Sequence, residues 1–162
     1  MYPWIVFLHV AGAFGFMLAH GTSVAVAFAL HKERNLDRAR ALLELSRGTF
    51  SLMYGSILVL LAGGITAGFM GSYWGRGWIW AAIATLVIIM AVMGRFGTVY
   101  YSELHKAVGL PYTERMKPQP AVEPVGPEEL SALLAQGKPA LLTGVGLGGL
   151  VIILWLMMFK PF

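Results

Sequence analysis

The sequence has 162 residues, of which 57% are hydrophobic, and it contains no cysteine. Its mean hydropathy of +0.70 is too high for an ordinary soluble domain, and the lack of cysteine excludes disulfides and thiolate chemistry. The formal net charge is +4, but the basic residues lie in the connections between apolar runs, where they set membrane topology and meet anionic lipid. We therefore expect no nucleic-acid binding.

Four apolar runs reach the length of about 20 residues that a bilayer-crossing helix needs. They cover residues 4–30, 50–73, 78–101 and 139–159. These runs predict a single all-α domain over residues 1–162, an integral membrane four-helix bundle whose main partner is the lipid bilayer. The chain opens with Met-Tyr-Pro, which lacks the positive charge of a signal peptide, so the first run is expected to remain as a span.

The first span contains two histidines, His9 and His20, and His31 follows it. Both intervals are eleven residues, which turn an α-helix through three full turns plus roughly 20° and advance it about 16 Å. The three imidazoles therefore lie along one line of the helix. Ionisable groups inside a membrane are costly and indicate a functional site by default, so a specific function is to be sought along this line.

The connection over residues 31–48 contains five basic and three acidic residues. The positive-inside rule makes this connection cytoplasmic, which places the N- and C-termini on the extracytoplasmic side. Asn35 suits a helix N-cap, and leucines then recur at near-helical spacing. We predict an amphipathic helix on the inner surface; a solvated charged connector is the alternative.

Small residues recur within the spans at intervals that let helix backbones approach closely in lipid. Gly64 and Gly68 form one such pair, and Gly144 and Gly148 form another. The first span has its own series at steps of four: Ala11, Gly15, Ala19, Ser23 and Ala27. These patterns predict a compact bundle, and the glycines of span four are expected to contact a sibling span or another subunit. A membrane-protein partner or a homo-oligomer is therefore expected.

The remaining connections also have readable patterns. Residues 72–80 combine one cation with several aromatic rings, which predicts a tight outer turn at the membrane interface. Residues 108–126 are rich in proline and lack helical periodicity, which predicts a flexible inner loop. Residues 127–137 begin with proline and two acids and end with glycine, which predicts a short helix against the inner face.

No span contains Asp or Glu, and all eight acidic residues lie in the connections. Proton pumps and cation-coupled transporters usually place carboxylates inside the membrane, so these classes are disfavoured. The sequence also lacks a phosphate-binding glycine loop, a catalytic-triad signature and an HExxH motif. No catalytic residue is therefore predicted.

The spans still offer three kinds of side chain that could form a site: imidazoles and thioethers, which can bind a metal, and one guanidinium, which can pair with an anion. Neutral imidazole binds haem iron, copper or zinc, and thioether adds affinity for Cu(I) or serves as a second haem ligand. Met17 lies three residues before His20 and shares its helix face. The helical rise places His20 and Met93 at nearly the same depth, about 22–24 Å from the outer ends of their spans. We predict a b-type haem or a soft metal ion between spans one and three, with His20 as the strongest ligand.

Arg95 is the only cation within a span. It could reach the inner interface by snorkelling, which is the simpler interpretation, or it could neutralise a haem propionate. His9 would mark either a second, outer site or a hydrogen bond to another span. Both intramembrane histidines lie on one helix, so a haem needs His–Met ligation, five-coordination or a histidine from another chain. The alternative is that both histidines only hold helices together.

Part of the sequence resembles a known family. The segments FLHVAGA (residues 7–13) and AHG (19–21) resemble the first span of an uncharacterised bacterial family of small four-span membrane proteins. The likeness extends through residues 40–46 and the WGRGW turn (74–78), so that it covers about residues 4–109. It implies a location in the bacterial cytoplasmic (inner) membrane and brings no established function.

The LHxxGA opening around His9 more loosely resembles copper-resistance-D-type and cytochrome-b561-like membrane proteins, which implies a haem or copper role at His9. Three functions therefore stay open. The preferred one is haem b binding for electron transfer within or beside a respiratory or other membrane complex. The others are a non-catalytic accessory or scaffold subunit and a copper-handling protein.

Overall fold

The computed structural model describes residues 1–115 and 117–162. In these residues the chain forms the helices α1 (Tyr2–Lys32), α2 (Leu36–Gly48), α3 (Phe50–Met70), α4 (Gly77–Val92), α5 (Val99–Ala107), α6 (Pro127–Ala135) and α7 (Pro139–Phe159). A 3₁₀ turn at Tyr73–Gly75 precedes α4, and a π-helical segment at Met93–Thr98 joins α4 to α5. The strands β1 (Tyr112–Glu114) and β2 (Lys117–Gln119) form an antiparallel pair.

The four predicted spanning helices are present, which confirms the all-α class. Each is apolar and long enough to cross a membrane: Tyr2–Lys32, Leu36–Met70, Gly77–Ala107 and Pro127–Phe159. Proline lies in the first turn of α1, α6 and α7, where its missing N–H costs nothing. His31 and Lys32 end α1, where positive charge suits the helix dipole.

The spans pack as two antiparallel pairs, α1 with α3 and α4 with α7, and α1 contacts α7 to join them. Glycines bring α1 and α3 together. A Cβ on Gly12 would lie 2.6 Å from the backbone nitrogen of Leu60, and one on Gly63 would lie 3.0 Å from the Cα of His9. Only hydrogen fits at such contacts, so glycine lets the two backbones touch.

The predicted contact at Gly64 is confirmed, because its Cβ position lies 2.9 Å from the His9 ring. Gly68 instead lies against the Trp74 ring of the outer turn. Among the described residues, no heavy atom comes within 4 Å of a Cβ built on Gly144 or Gly148. Of the two contacts expected for these glycines, the one with a sibling span is absent at Gly144 and Gly148, and the one with another subunit stays a prediction.

Other glycines of α7 contact its neighbours: Gly146 lies against His20 and Met93, and Gly149 lies against Ile89. Residues four apart share a helix face, but this spacing does not say which face turns inward. The same limit applies to α1, where Ala11 is exposed and its neighbour Gly12 is buried.

One end of the bundle, which we call the inner end, holds α2, α5, α6 and the hairpin. Its core is a cluster of leucines from four helices: Leu30, Leu43, Leu104, Leu130 and Leu134. The predicted amphipathic helix is confirmed as α2, and the Asn35 side chain accepts a hydrogen bond from the Arg38 backbone at 3.0 Å. Arg40 donates to the Val108 carbonyl at 2.7 and 3.0 Å, which ties α2 to the chain after α5.

The predicted inner loop, residues 108–126, contains the hairpin, with Met116 outside the described residues. Ser102 of α5 hydrogen-bonds both the carbonyl and the N–H of Thr113, and the Val125 N–H donates to the Ala107 carbonyl at 2.9 Å. The predicted short helix is α6, which buries Leu130 and Leu134 against the leucine cluster. The inner end is thus a packed layer with its own core.

The opposite end, which we call the outer end, holds both chain termini and the 3₁₀ turn. The Tyr2 and Tyr73 hydroxyls are 3.1 Å apart, and the Trp78 N–H donates to the Phe162 carbonyl at 3.2 Å. The Lys160 ammonium lies 4.8 Å from the centre of the Tyr73 ring. The hydrogen bond to Tyr2 and this ammonium lower the pKa of Tyr73. Both termini lie at one end, as four spans require; which side of the membrane this end faces stays a prediction.

Single cysteine substitutions test which end of the bundle faces the cytoplasm, because the natural sequence contains no cysteine that would also be labelled. Ser72 is exposed at the outer end and Ala121 is exposed in the inner loop. We expect an impermeant thiol reagent to label Ser72→Cys in intact cells and Ala121→Cys only after permeabilisation, because the basic connections favour the cytoplasm. Labelling of Ala121→Cys alone in intact cells would show the opposite orientation.

The glycine contacts predict a difference between two alanine substitutions. Gly12→Ala places a methyl group against the Leu60 backbone, and overpacking of this kind costs about 1–3 kcal/mol. Gly148→Ala meets no described neighbour and replaces a flexible helical residue, so stability should hold or rise slightly. Thermal unfolding in detergent measures both variants. Equal unfolding temperatures would contradict the tight α1–α3 contact.

Candidate functional site

Two of the predicted ligands, His20 and Met93, meet in the inner half of the bundle. A Cβ on Gly146 would lie 2.5 Å from His20 Nε2 and 2.8 Å from the Met93 methyl carbon. The imidazole of α1 and the side chain that begins the π-helical segment therefore contact the same point on α7. A side chain at residue 146 would occupy this point, so glycine is what allows the three elements to meet.

The environment of His20 leaves one nitrogen without a partner. Its ring stacks on Phe16, one helical turn earlier, with centroids 5.7 Å apart and planes 6° from parallel. His20 Nε2 is buried and has no hydrogen-bond partner among the described residues. An unpaired buried polar atom costs about 1–3 kcal/mol, and such atoms in proteins commonly have a functional reason.

The backbone is irregular where Met93 lies. The π-helical segment begins at Met93 and includes Gly94, Arg95 and Gly97. π-Turns are rare, interrupt the regular i→i+4 bonding of a helix and are frequent at functional sites. This irregularity coincides with the contact to His20, and no feature of the sequence pattern announces it.

The structure does not bring the other predicted ligands to this point. The Met17 side chain is 47% exposed, and its atoms are not among the three nearest to a Cβ on Gly146. Arg95 is exposed, and its guanidinium carbon lies 5.7 Å from the centre of the Phe96 ring. Snorkelling of Arg95 stays a prediction.

His9 occupies a different helix contact, although it shares a line of α1 with His20. Its Nδ1 lies 2.7 Å from the Leu60 carbonyl of α3. Because a carbonyl only accepts, Nδ1 carries the proton, and Nε2 keeps its lone pair in the neutral ring. Of the two roles predicted for His9, the interhelical hydrogen bond is present. Metal-binding histidines are commonly oriented by the same kind of bond, so Nε2 keeps the capacity to bind a ligand.

The remaining histidines lie at the inner end. His31 Nδ1 and His105 Nε2 are buried and lack hydrogen-bond partners among the described residues. Each follows a leucine of the buried cluster, Leu30 and Leu104 respectively. The described part of the chain holds no group of three or more His, Cys, Asp or Glu side chains that could bind a metal ion. A metal site with three protein ligands in this part of the chain would therefore need at least one ligand of another type, such as a methionine thioether.

The packing around His20 limits the room in front of its Nε2. A Cβ on Gly146 would lie 2.5 Å from Nε2, so not even a methyl group fits between the imidazole and this part of α7. A porphyrin ligated by Nε2 would require α7 to move away, so the residues as packed do not fit haem b. A single ion ligated by Nε2 and the Met93 thioether is much smaller than a porphyrin and would require a smaller displacement of α7. Imidazole with thioether is a soft ligand set that favours Cu(I).

Gly146 is the site residue that the sequence reasoning missed. The helical rise could have found it, since it lies thirteen residues before the outer end of α7, or about 20 Å. That depth is close to those of His20 and Met93.

Comparison with known proteins adds no relative: no family model matches the chain, and no curated protein or solved structure matches it significantly.

The His9 hydrogen bond predicts a graded response to substitution. His9→Leu removes the donor to the Leu60 carbonyl, which should cost about 0.5–1.5 kcal/mol of stability. His9→Asn places an amide nitrogen near the position of Nδ1 and should lose less. Thermal unfolding of both variants in detergent measures the difference. If the asparagine variant were no more stable than the leucine variant, the hydrogen bond would not be holding α1 to α3.

Proposed function

We propose that this protein is a membrane-embedded copper-handling protein that binds one Cu(I) ion through His20 Nε2 and the Met93 thioether. The supporting observation is the buried His20 Nε2, which has no described hydrogen-bond partner and contacts the same point of α7 as Met93. A metal ion would use the lone pair that the protein leaves unpaired. We place the protein, by the same proposal, in a bacterial cytoplasmic membrane.

The chemistry of the spans supports a soft monovalent ion. Hard cations prefer carboxylate and carbonyl oxygens, and no span contains Asp or Glu. Burying charge in a medium of low dielectric constant is costly, and the cost is lower for one charge than for two. His20 and Met93 can supply two soft lone pairs without adding charge. Phe16 would hold the imidazole plane through its stacking contact.

A second candidate function is a non-catalytic accessory or scaffold subunit. The His9 hydrogen bond favours it, because an intramembrane histidine of this chain already serves a helix contact. The open face at Gly144 and Gly148 also favours it, since small residues four apart suit packing against a helix of another chain. In this case His20 would have no ligand.

Haem b, which the sequence analysis preferred, is a weaker proposal because the close packing of α7 against Nε2 leaves little room for a porphyrin. It needs α7 to separate from α1, and it would use Arg95 to neutralise a propionate. Reduced-minus-oxidised absorbance of the purified protein tests it directly. A Soret band that His20→Leu removes would replace the copper proposal with the haem proposal.

Copper binding is tested on the purified full-length protein under reducing conditions, by competition with a coloured Cu(I) chelator. We expect one Cu(I) per chain in the wild type. His20→Leu and Met93→Leu should each weaken binding by about tenfold or more, because changes merely around a metal site already cost 10–100-fold.

Met90→Leu is the matched control, because Met90 lies three residues before Met93 and is 58% exposed. It should bind copper like the wild type. A folded wild type that binds no Cu(I), or equal losses in Met90→Leu and Met93→Leu, would contradict the proposal. If the purified protein contains no metal and added Cu(I) does not change its thermal stability, the scaffold function remains as the proposal.

A further inference from the structure

A small cleft opens at the inner end, where the π-helical segment and α5 face the turn between α6 and α7. Its volume is about 120 Å³. The lining residues are Phe96, Tyr100, Gln136, Lys138, Leu141 and Leu142. The cleft therefore combines two polar side chains from the turn with apolar side chains from two spans.

The charged groups at this cleft are cationic. Lys138 lines it directly, and Arg95 precedes the lining residue Phe96 in the chain, with its guanidinium carbon 5.7 Å from the centre of the Phe96 ring. Both side chains are exposed, and no acidic residue is among those that line the cleft in the described chain. A phosphate in the cleft would thus meet the Lys138 ammonium and no lining carboxylate, with the Arg95 guanidinium on the residue next to the lining Phe96.

The apolar wall of the cleft continues onto the lipid-facing surface. Phe96 is 50% exposed and Leu141 is 48% exposed, although both line the cleft. A hydrocarbon chain could therefore follow these side chains outward from the polar end. Cations at one end and apolar side chains at the other match the two parts of a phospholipid.

The turn that carries Lys138 is held in place. The Tyr100 hydroxyl donates towards the Leu133 and Leu134 carbonyls, at 3.4 and 3.3 Å. Gly137 lets Tyr100 approach, because a Cβ there would lie 2.6 Å from the hydroxyl oxygen. Lys138 follows Gly137 directly, so this contact fixes the backbone position from which the lysine side chain lines the cleft.

We propose that this cleft binds one anionic phospholipid of the surrounding bilayer. The phosphate would lie between Lys138 and Arg95, Gln136 would donate to a headgroup oxygen, and an acyl chain would follow Phe96 and Leu141. Basic pockets between spans near the cytoplasmic surface bind acidic lipid headgroups in other membrane proteins. This assignment also gives Arg95 a role that needs no haem, and it does not depend on copper binding.

The test is a lipid titration of the purified full-length protein in detergent, followed by native mass spectrometry. The probes are phosphatidylglycerol, phosphatidylcholine with the same acyl chains, and inorganic phosphate. We expect one tightly held phosphatidylglycerol per chain, weaker retention of phosphatidylcholine, and no displacement by inorganic phosphate. Lys138→Gln and Arg95→Gln should each weaken phosphatidylglycerol binding roughly fivefold, in line with the contribution of one basic residue at a membrane surface.

Matched controls lie at the same end of the bundle but outside the cleft. Lys117→Gln on the hairpin and Arg38→Gln on α2 remove exposed cations of the same types, and both should bind phosphatidylglycerol like the wild type. Equal retention of the two lipids would overturn the proposal, as would equal losses in the cleft and control variants. Displacement of the lipid by inorganic phosphate would identify a simple anion site instead.

Discussion

The structure depends on the close approach of helix backbones at glycine. In the bilayer that the four apolar helices are predicted to cross, no hydrophobic force draws one span to another, so packing and polar contacts would hold the bundle together. Each of the two histidines within α1 that the sequence places inside a span, His9 and His20, takes part in such an approach. His9 lies against Gly63 and Gly64 of α3, and His20 lies against Gly146 of α7. In both places an imidazole fills the space that a missing Cβ leaves, so the polar groups and the tightest packing occur together.

The two histidines differ in what their nitrogens contact, and this difference carries the functional proposal. His9 has a carbonyl partner and joins the two helices of one pair, as a packing residue does. His20 lies where α1 contacts the other pair, and its Nε2 has no described partner. A copper ion between His20 and Met93 would therefore bridge the two helix pairs. Binding there would be coupled to how the pairs sit against each other.

The inner end of the bundle forms a packed layer next to these contacts. Leucines of α1, α2, α5 and α6 form one cluster. The hydrogen bonds from Arg40 to the Val108 carbonyl and between Ser102 and Thr113 tie the chain after α5 to this cluster. The proposed lipid cleft lies at the edge of this layer, beside the same π-helical segment that begins at Met93. One irregular segment thus borders both proposed sites, with Met93 facing inward to α7 and Arg95 exposed.

The sequence by itself determined the elements and their depth. Span lengths, the Asn35 cap and the proline starts are local signals, and the constant helical rise placed His20 level with Met93. Only the tertiary structure decided rotation and partners: that Gly146 rather than Gly144 turns inward, that His9 contacts α3 while His20 contacts α7, and that Met93 begins a π-segment. Depth depends on counting residues along one helix. Rotation depends on all neighbours together, and spans that are apolar on every side show no polarity contrast to mark their inward face.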